Sequence, residues 1–251
     1  MAGHSKWKQI KRQKGVTDAR RGALFTKLGR EITMAVRQGG GPDPNGNPRL
    51  RLAIQKARES NMPNDIMERA IAKATGSADA SQLEEIVYEG YAPGGAAVMV
   101  EAMTDNRNRT VGDVRNLFNR SGGNLGESGS VAWVFNTRGV LTVSLDRGVD
   151  DEEVALAAVD AGAEDFESDA ENLSVYTKPE DLEAVRKALE ESGVNVASSE
   201  VARVPSTTVK LDEKDAVSTL RLLEKLEDLD DVQRVYSNAD FPDSVLAGFT
   251  A

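Results

Sequence analysis

The chain has 251 residues, no cysteine, one histidine (His4) and a net charge of −10. These counts exclude disulfides, zinc-thiolate and iron–sulfur sites, cysteine nucleophiles, paired-histidine metal sites and relays built on an internal histidine. The length suggests two domains or three small ones, and 39% hydrophobic with 29% charged residues suits globular units with real cores. The net charge hides a division. Residues 1–75 hold 16 of the 31 Lys and Arg and 6 of the 41 Asp and Glu, a net of +10; the remaining 15 and 35 leave −20 on residues 76–251. A basic head on an acidic body points to an anionic partner held at one end.

The N-terminus is cationic and its first acid is Asp18. No apolar run follows it, which excludes a secretory signal and leaves an organelle transit peptide open. The longest charge-free apolar stretch, 90–100, is too short to span a bilayer and contains Pro93, Gly94 and Gly95. A soluble protein of the cytoplasm, with no membrane contact, is the expectation.

Residues 17–38 are predicted as a helix capped by Thr17 or Asp18, with Leu24, Leu28, Ile32, Ala35 and Val36 on one side. Lys27, Arg30 and Arg37 fall opposite. Glycine and proline make 39–48 irregular backbone. A second helix is predicted over 49–59 and a third from Pro63 to a stop at Gly76. Three amphipathic helices can share one core, giving a helical domain over 1–78. The second and third helices permit a helix-turn-helix, but the third offers only Arg69 and Lys73 beside Asp65 and Glu68, a poor set for reading bases. A plain bundle is the better reading.

Ahead of and within the first helix lie Lys6, Lys8, Lys11, Arg12, Lys14, Arg20 and Arg21, with Asp18 as the single acid among them. Cations that neutralise phosphates release counterions and drive sequence-independent nucleic-acid binding. Trp7 supplies a ring for stacking on a base or sugar. The bland alternative is a solvated tail with Trp7 packed on the bundle. The adjoining basic helix faces and the acidic remainder favour binding, and Lys27 and Arg30 extend the expected surface.

Beyond residue 81 the periodicity changes. Strands are predicted at 84–91 and 96–103 around a Pro-Gly-Gly turn, then a helix at 108–120 with Val111, Val114, Leu117 and Phe118 inward. The glycine-rich stretch 121–130 reads as a linker, and its Gly122-Gly123-Asn124-Leu125-Gly126 as a hinge, since the spacing is wrong for dinucleotide binding. A strand at 131–136, a turn at 137–139 and a strand at 140–145 follow. From there the order is helix 150–161, strand 164–167, strand 172–177, helix 179–192 and strand 194–199. From residue 140 this is the β-α-β-β-α-β ferredoxin-like arrangement. A strand near 207–211, a helix at 213–227 and a strand at 232–236 are incomplete alone, as is the earlier β-β-α piece. Joined, they complete one more unit. The predicted fold is therefore α+β, a three-helix domain plus two ferredoxin-like-type α/β domains. The middle domain is discontinuous, built from 79–129 and 201–240; the inserted domain is 130–200, and 241–251 is a tail.

No phosphate-binding Gly-x-x-x-x-Gly-Lys-Ser/Thr loop and no Gly-x-Ser-x-Gly elbow is present. Carboxylate pairs such as Asp228 with Asp231 read as solvated acidic faces, and nothing selects a magnesium site among them. Aromatic residues are too few for a sugar platform or a base-stacking sheet, so Trp133 and Phe135 read as core. No cofactor, metal or catalytic residue is predicted. One basic, amide-rich patch breaks the acidic body: Thr104-Asp105-Asn106-Arg107-Asn108-Arg109-Thr110, with Arg115 and Arg120 beyond it. It is either a helix-capping loop, with Asn108 or Thr110 as cap, or a contact made through Arg107 and Arg109.

Gly3-His4-Ser5-Lys6-Trp7, the block 53–73, Tyr88-Glu89-Gly90-Tyr91-Ala92-Pro93-Gly94-Gly95, the 104–110 motif and Val235-Tyr236-Ser237-Asn238 resemble the YebC family over essentially the whole chain. Ser237 stands where many members carry histidine. The resemblance implies a helical N-terminal domain and two α/β domains. It also implies a non-enzymatic regulator of gene expression. Members are described as cytoplasmic transcriptional regulators that bind DNA. Mitochondrial relatives look like translational activators of an organelle-encoded oxidase subunit, and bacterial ones like ribosome-associated factors that ease synthesis through proline runs. DNA, messenger RNA and ribosomal RNA are thus all candidate partners.

Overall fold

The computed structural model describes residues 18–76, 83–145, 151–168 and 172–250. Helix α1 (Asp18–Gln38) is followed by α2 (Pro48–Glu59) and α3 (Asn64–Gly76). Leu28, Ile32, Ala35 and Val36 of α1 close on Leu50, Ala53 and Ala57 of α2 and on Met62 and Met67. The irregular segment between α1 and α2 is pinned by buried Asn47. Its Oδ1 accepts from Leu50 N at 3.0 Å, capping α2, and its Nδ2 donates to the carbonyls of Ala35 and Gly41, both at 2.8 Å. One buried amide thus fixes both sides of the loop.

The middle unit begins with the hairpin of β1 (Glu84–Tyr91) and β2 (Ala97–Thr104), then α4 (Arg107–Arg120) and the two-residue edge strand β3 (Asn124–Leu125). It is completed by α7 (Glu213–Glu227) and β9 (Val232–Ser237). The antiparallel sheet runs β3-β1-β2-β9, with Val98 opposite Ser237. Alternation along β2 sends Val98, Val100 and Ala102 toward Val114 and Phe118 of α4 and Leu220 and Leu223 of α7. This is a ferredoxin-like layout, two helices on one face of four antiparallel strands, reached by a different connection order.

The inserted unit comprises β4 (Phe135–Ser144), α5 (Asp151–Asp160), β5 (Asp165–Ser168), β6 (Asn172–Thr177), α6 (Leu182–Glu191) and β7 (Val196–Pro205). Its antiparallel order β5-β6-β4-β7 is the ferredoxin-like one. Leu141, Val143, Leu173 and Val175 pack under α5 and α6. The opposite face of the middle sheet, Ala97, Met99 and Tyr236, meets Val131, Val134, Phe135 and Ala202 in a second apolar layer. The α+β class and the discontinuous middle unit are as the sequence predicts.

Several local readings are corrected. The 121–130 stretch supplies β3 rather than a hinge, and its glycines answer close approach. A Cβ on Gly123 would lie 2.6 Å from Tyr91 O, and one on Gly90 would lie 2.6 Å from Asn124 O. The turn expected at 137–139 is absent. β4 runs straight through Gly139, which has no room for a side chain beside Thr177 and Leu182. The strand expected near 207–211 does not join the main sheet. It is reduced to β8 (Val209–Lys210), paired in parallel with β10 (Ala239–Asp240). β7 continues through Pro205, past the expected boundary at 200. The expected tail carries α8 (Asp243–Thr250), whose Val245 and Leu246 join the middle core with Phe241.

Candidate nucleic-acid interface

Of the predicted contact residues, Lys6, Trp7, Lys8, Lys11, Arg12 and Lys14 lie outside the described residues. Arg20 lies in the first turn of α1, and Arg21 is exposed one position on. Lys27 and Arg30 face inward onto the body. The Lys27 ammonium donates to the carbonyl of Glu227, and the Arg30 guanidinium to that of Asp230. Arg30 Nη1 also lies 2.8 Å from Asp231 Oδ1.

Asp231, in the turn between α7 and β9, gathers the patch at 104–110 as well. Its Oδ2 accepts from Thr110 Oγ1 at 2.6 Å, Arg109 Nη2 at 2.8 Å and Thr104 Oγ1 at 3.1 Å. The carboxylate side chain is only 9% exposed. Burial works to raise its pKa. The hydrogen bonds from Thr110 and Arg109 and the charges of Arg30 and Arg109 outweigh that, leaving the carboxyl below the usual aspartate range. Arg109 is held a second time by Asp105 Oδ1 at 2.8 Å. The helix cap is Asn106, not Asn108 or Thr110: its side chain accepts from Arg109 N at 3.0 Å, and Thr110 is turned inward to the carboxylate. In sequence Asp231 reads as a solvated acid. Its four donors lie 121 to 201 residues away, so no local pattern marks it. Arg107 remains exposed.

A second polar junction lies between the three units. Glu31 of α1 pairs with Lys56 at 2.8 Å and faces Arg234 at 3.8 Å, whose Nη1 donates to Val201 O at 2.9 Å. Burial opposes the charge on Arg234, but Tyr236, Glu200 and Glu31 more than offset it, so the guanidinium stays protonated. Arg203 reaches Glu101 at 3.4 Å from the inserted unit. Ion pairs thus tie the head to the body and the inserted unit to the middle one.

Buried Glu89 organises the turn after β3. Its carboxylate accepts from the backbone N–H groups of Gly129, Val131 and Ala132, each at 2.8 Å. This turn presents Trp133, 71% exposed, with its indole N–H donating to Ser130 O at 3.0 Å. Trp133 is therefore not core, whereas Phe135 is. Glu89→Ala should lower the unfolding free energy by about 2 kcal/mol, because only the Val131 N–H stays buried without a partner while the other two regain water. Denaturant unfolding checks this, and a loss below about 0.5 kcal/mol would contradict the role. Tyr88 offers the opposite case. Its buried hydroxyl has no hydrogen-bond partner among the described residues, and burial pushes its pKa up, with Arg107 opposing. Tyr88→Phe should leave stability unchanged or raise it by up to about 1 kcal/mol. A clear loss would mean that the hydroxyl is bonded.

Two surfaces carry unspent positive charge. On α3, Arg69 is tied to Asp65, and Lys73 has no ion-pair partner among the described residues. On α4, Arg107, Arg115 and Arg120 are exposed and have no ion-pair partner among the described residues. Among the described residues no cluster of acidic or histidine side chains fits a metal ion, and no helix is long and apolar enough to cross a membrane.

A basic three-helix unit, a discontinuous α/β unit and an inserted ferredoxin-like unit, joined by partly buried ion pairs, define the class of protein. The model of the TACO1/YebC protein N-terminal domain matches residues 5–77, and that of the TACO1/YebC second and third domain matches residues 83–239. Similar chains include probable transcriptional regulatory proteins of Chloroflexus aurantiacus, 54% identical with all of both chains covered, and of Thermomicrobium roseum, 55% identical over 98% of each. The crystal structure of a conserved hypothetical protein, Aq1575, from Aquifex aeolicus superposes with a TM-score of 0.80 at 48% identity, covering 90% of this chain and 92% of that one. The chain belongs to the TACO1/YebC family.

Proposed function

We propose that the protein is a non-enzymatic, nucleic-acid-binding regulator of gene expression that grips its target through the basic N-terminal region. The observation that carries this is the charge division, +10 on residues 1–75 against −20 on the rest. Phosphates are attracted at one end and repelled from most of the body. The relatives are named probable transcriptional regulatory proteins, which supports a role in transcription. On this reading the target is DNA and the site of action the cytoplasm. A second reading, a ribosome- or RNA-associated translation factor, is favoured by α3. With Arg69 held by Asp65, the helix that would read bases has one cation, Lys73, with no ion-pair partner among the described residues. Recognition by shape and charge suits structured RNA.

The test is a salt titration of the full chain against promoter DNA, scrambled DNA and structured RNA. Binding to at least one polymer should weaken steeply with salt. Preference for the promoter over scrambled DNA supports the transcriptional reading. Preference for RNA, with co-sedimentation on ribosomes at moderate salt, supports the second. No binding to any of them would overturn both.

A further inference from the structure

We propose that the outer face of α4 is a second nucleic-acid site, one that takes the shallow groove of double-stranded RNA; this rests on the RNA reading above. At about 100° per residue, the exposed side of α4 is ordered across its width. Asn108, Gly112, Asn116 and Asn119 fall within about 40° of a central line drawn through Gly112. Arg115 lies about 60° to one side, and Arg109 and Arg120 about 60–80° to the other. All of these residues are exposed, and Asp113 is the only acid on that side of the helix. An amide strip bordered by arginines is the pattern that a groove presents in reverse, with phosphates along both margins and sugars between.

The occupant follows from three details. The wide, shallow groove of A-form RNA exposes 2′-hydroxyls, which donate and accept, and a carboxamide does both. The minor groove of B-DNA, about 6 Å across, does not admit a helix; its major groove does, and asparagine can read adenine there, so the DNA duplex is the competing occupant that the test below separates. Gly112 is the third detail. A Cβ there would meet nothing within 4 Å, and its φ is not in the left-handed region, so neither packing nor backbone geometry within the protein requires glycine. Glycine inside a helix lowers stability relative to alanine. Here it leaves the centre of the face flat, so that another backbone can approach closely. Of the arginines, Arg109 is anchored by Asp105 and Asp231, which orients it along the margin.

The experiment uses the full chain with a blunt RNA duplex, the DNA duplex of the same sequence and the single-stranded RNA. Arg115→Glu with Arg120→Glu should weaken RNA-duplex binding at least about tenfold and lower the salt slope by about 2, with far smaller effects on the other two probes. Gly112→Leu should weaken RNA-duplex binding without lowering Tm, and Gly112→Ala should raise Tm by about 2–4 °C. That opposition separates a contact from a structural role. Wild-type affinity in the arginine variant overturns the α4 site while leaving the head's role intact. Equal losses on RNA and DNA duplexes overturn the RNA assignment. Absence of nucleic-acid binding by the unmodified protein overturns the functional reading itself.

Discussion

Charge reversal at Lys8, Lys11, Arg12 and Lys14 together should abolish measurable nucleic-acid binding at about physiological salt while leaving the body folded. Each phosphate neutralised contributes about 0.7–0.9 to the slope of log affinity against log salt. Removing four such contacts, and adding four negative charges, costs at least about a hundredfold in affinity at moderate ionic strength. Leu28, Ile32 and Leu50 form the core of the head and Val98, Phe118 and Leu220 that of the middle unit, and thermal unfolding of these cores should be unchanged. Electrophoretic mobility shifts across a salt series, with circular dichroism as the folding control, read both quantities. Unchanged affinity would remove the basic N-terminus from the mechanism.

Asp231→Ala should destabilise the protein by about 3 kcal/mol and loosen the head from the body. The carboxylate receives Arg30 from α1 and Arg109, Thr110 and Thr104 from the segment around α4. Removing one partner of a buried charge cluster costs about 3–5 kcal/mol, and the partial exposure of Arg30 and Arg109 places this site at the low end. The pH dependence has a definite sign. A carboxyl whose folded pKa lies below its unfolded value, about 3.9, contributes fully above that value and loses its contribution as pH falls through the folded pKa. The stability gap between the unmodified protein and Asp231→Asn should therefore be constant from about pH 6 to 8 and close below about pH 4. Urea unfolding across that range measures it, and a gap that persists in acid would refute the ionic account.

The helices were legible because their signals are local. The apolar spacing of Leu28, Ile32 and Ala35, the proline at the start of α2 and the run of α7 place them within a residue or two of their observed ends. The discontinuous middle unit followed from two pieces that were each incomplete. What failed was contextual. Gly123 and Gly139 look like a hinge and a turn in one dimension, but tertiary neighbours leave no space for a Cβ at either. Asp231 resembles any surface acid until α1 and the 104–110 segment converge on it. Lys27 and Arg30 are expected on the binding surface from charge alone, and the structure turns them toward carbonyl and carboxylate groups of the body. Sequence reports how many cations a segment holds, but the fold determines which of them already have partners.

The pairing of Val98 with Ser237 also sets an order of assembly during synthesis. β2 leaves the exit tunnel more than a hundred residues before β9, and throughout that interval its outer edge has no strand to bond. The three-helix head and the inserted β4–β7 unit, each continuous in sequence, can close as soon as they emerge. The sheet between them must wait for nearly the whole chain. Such long-range pairing is slow, and an open apolar edge invites intermolecular strand addition. A chain released before residue 232 should therefore carry a folded head and a folded insert on either side of an unsealed, aggregation-prone centre.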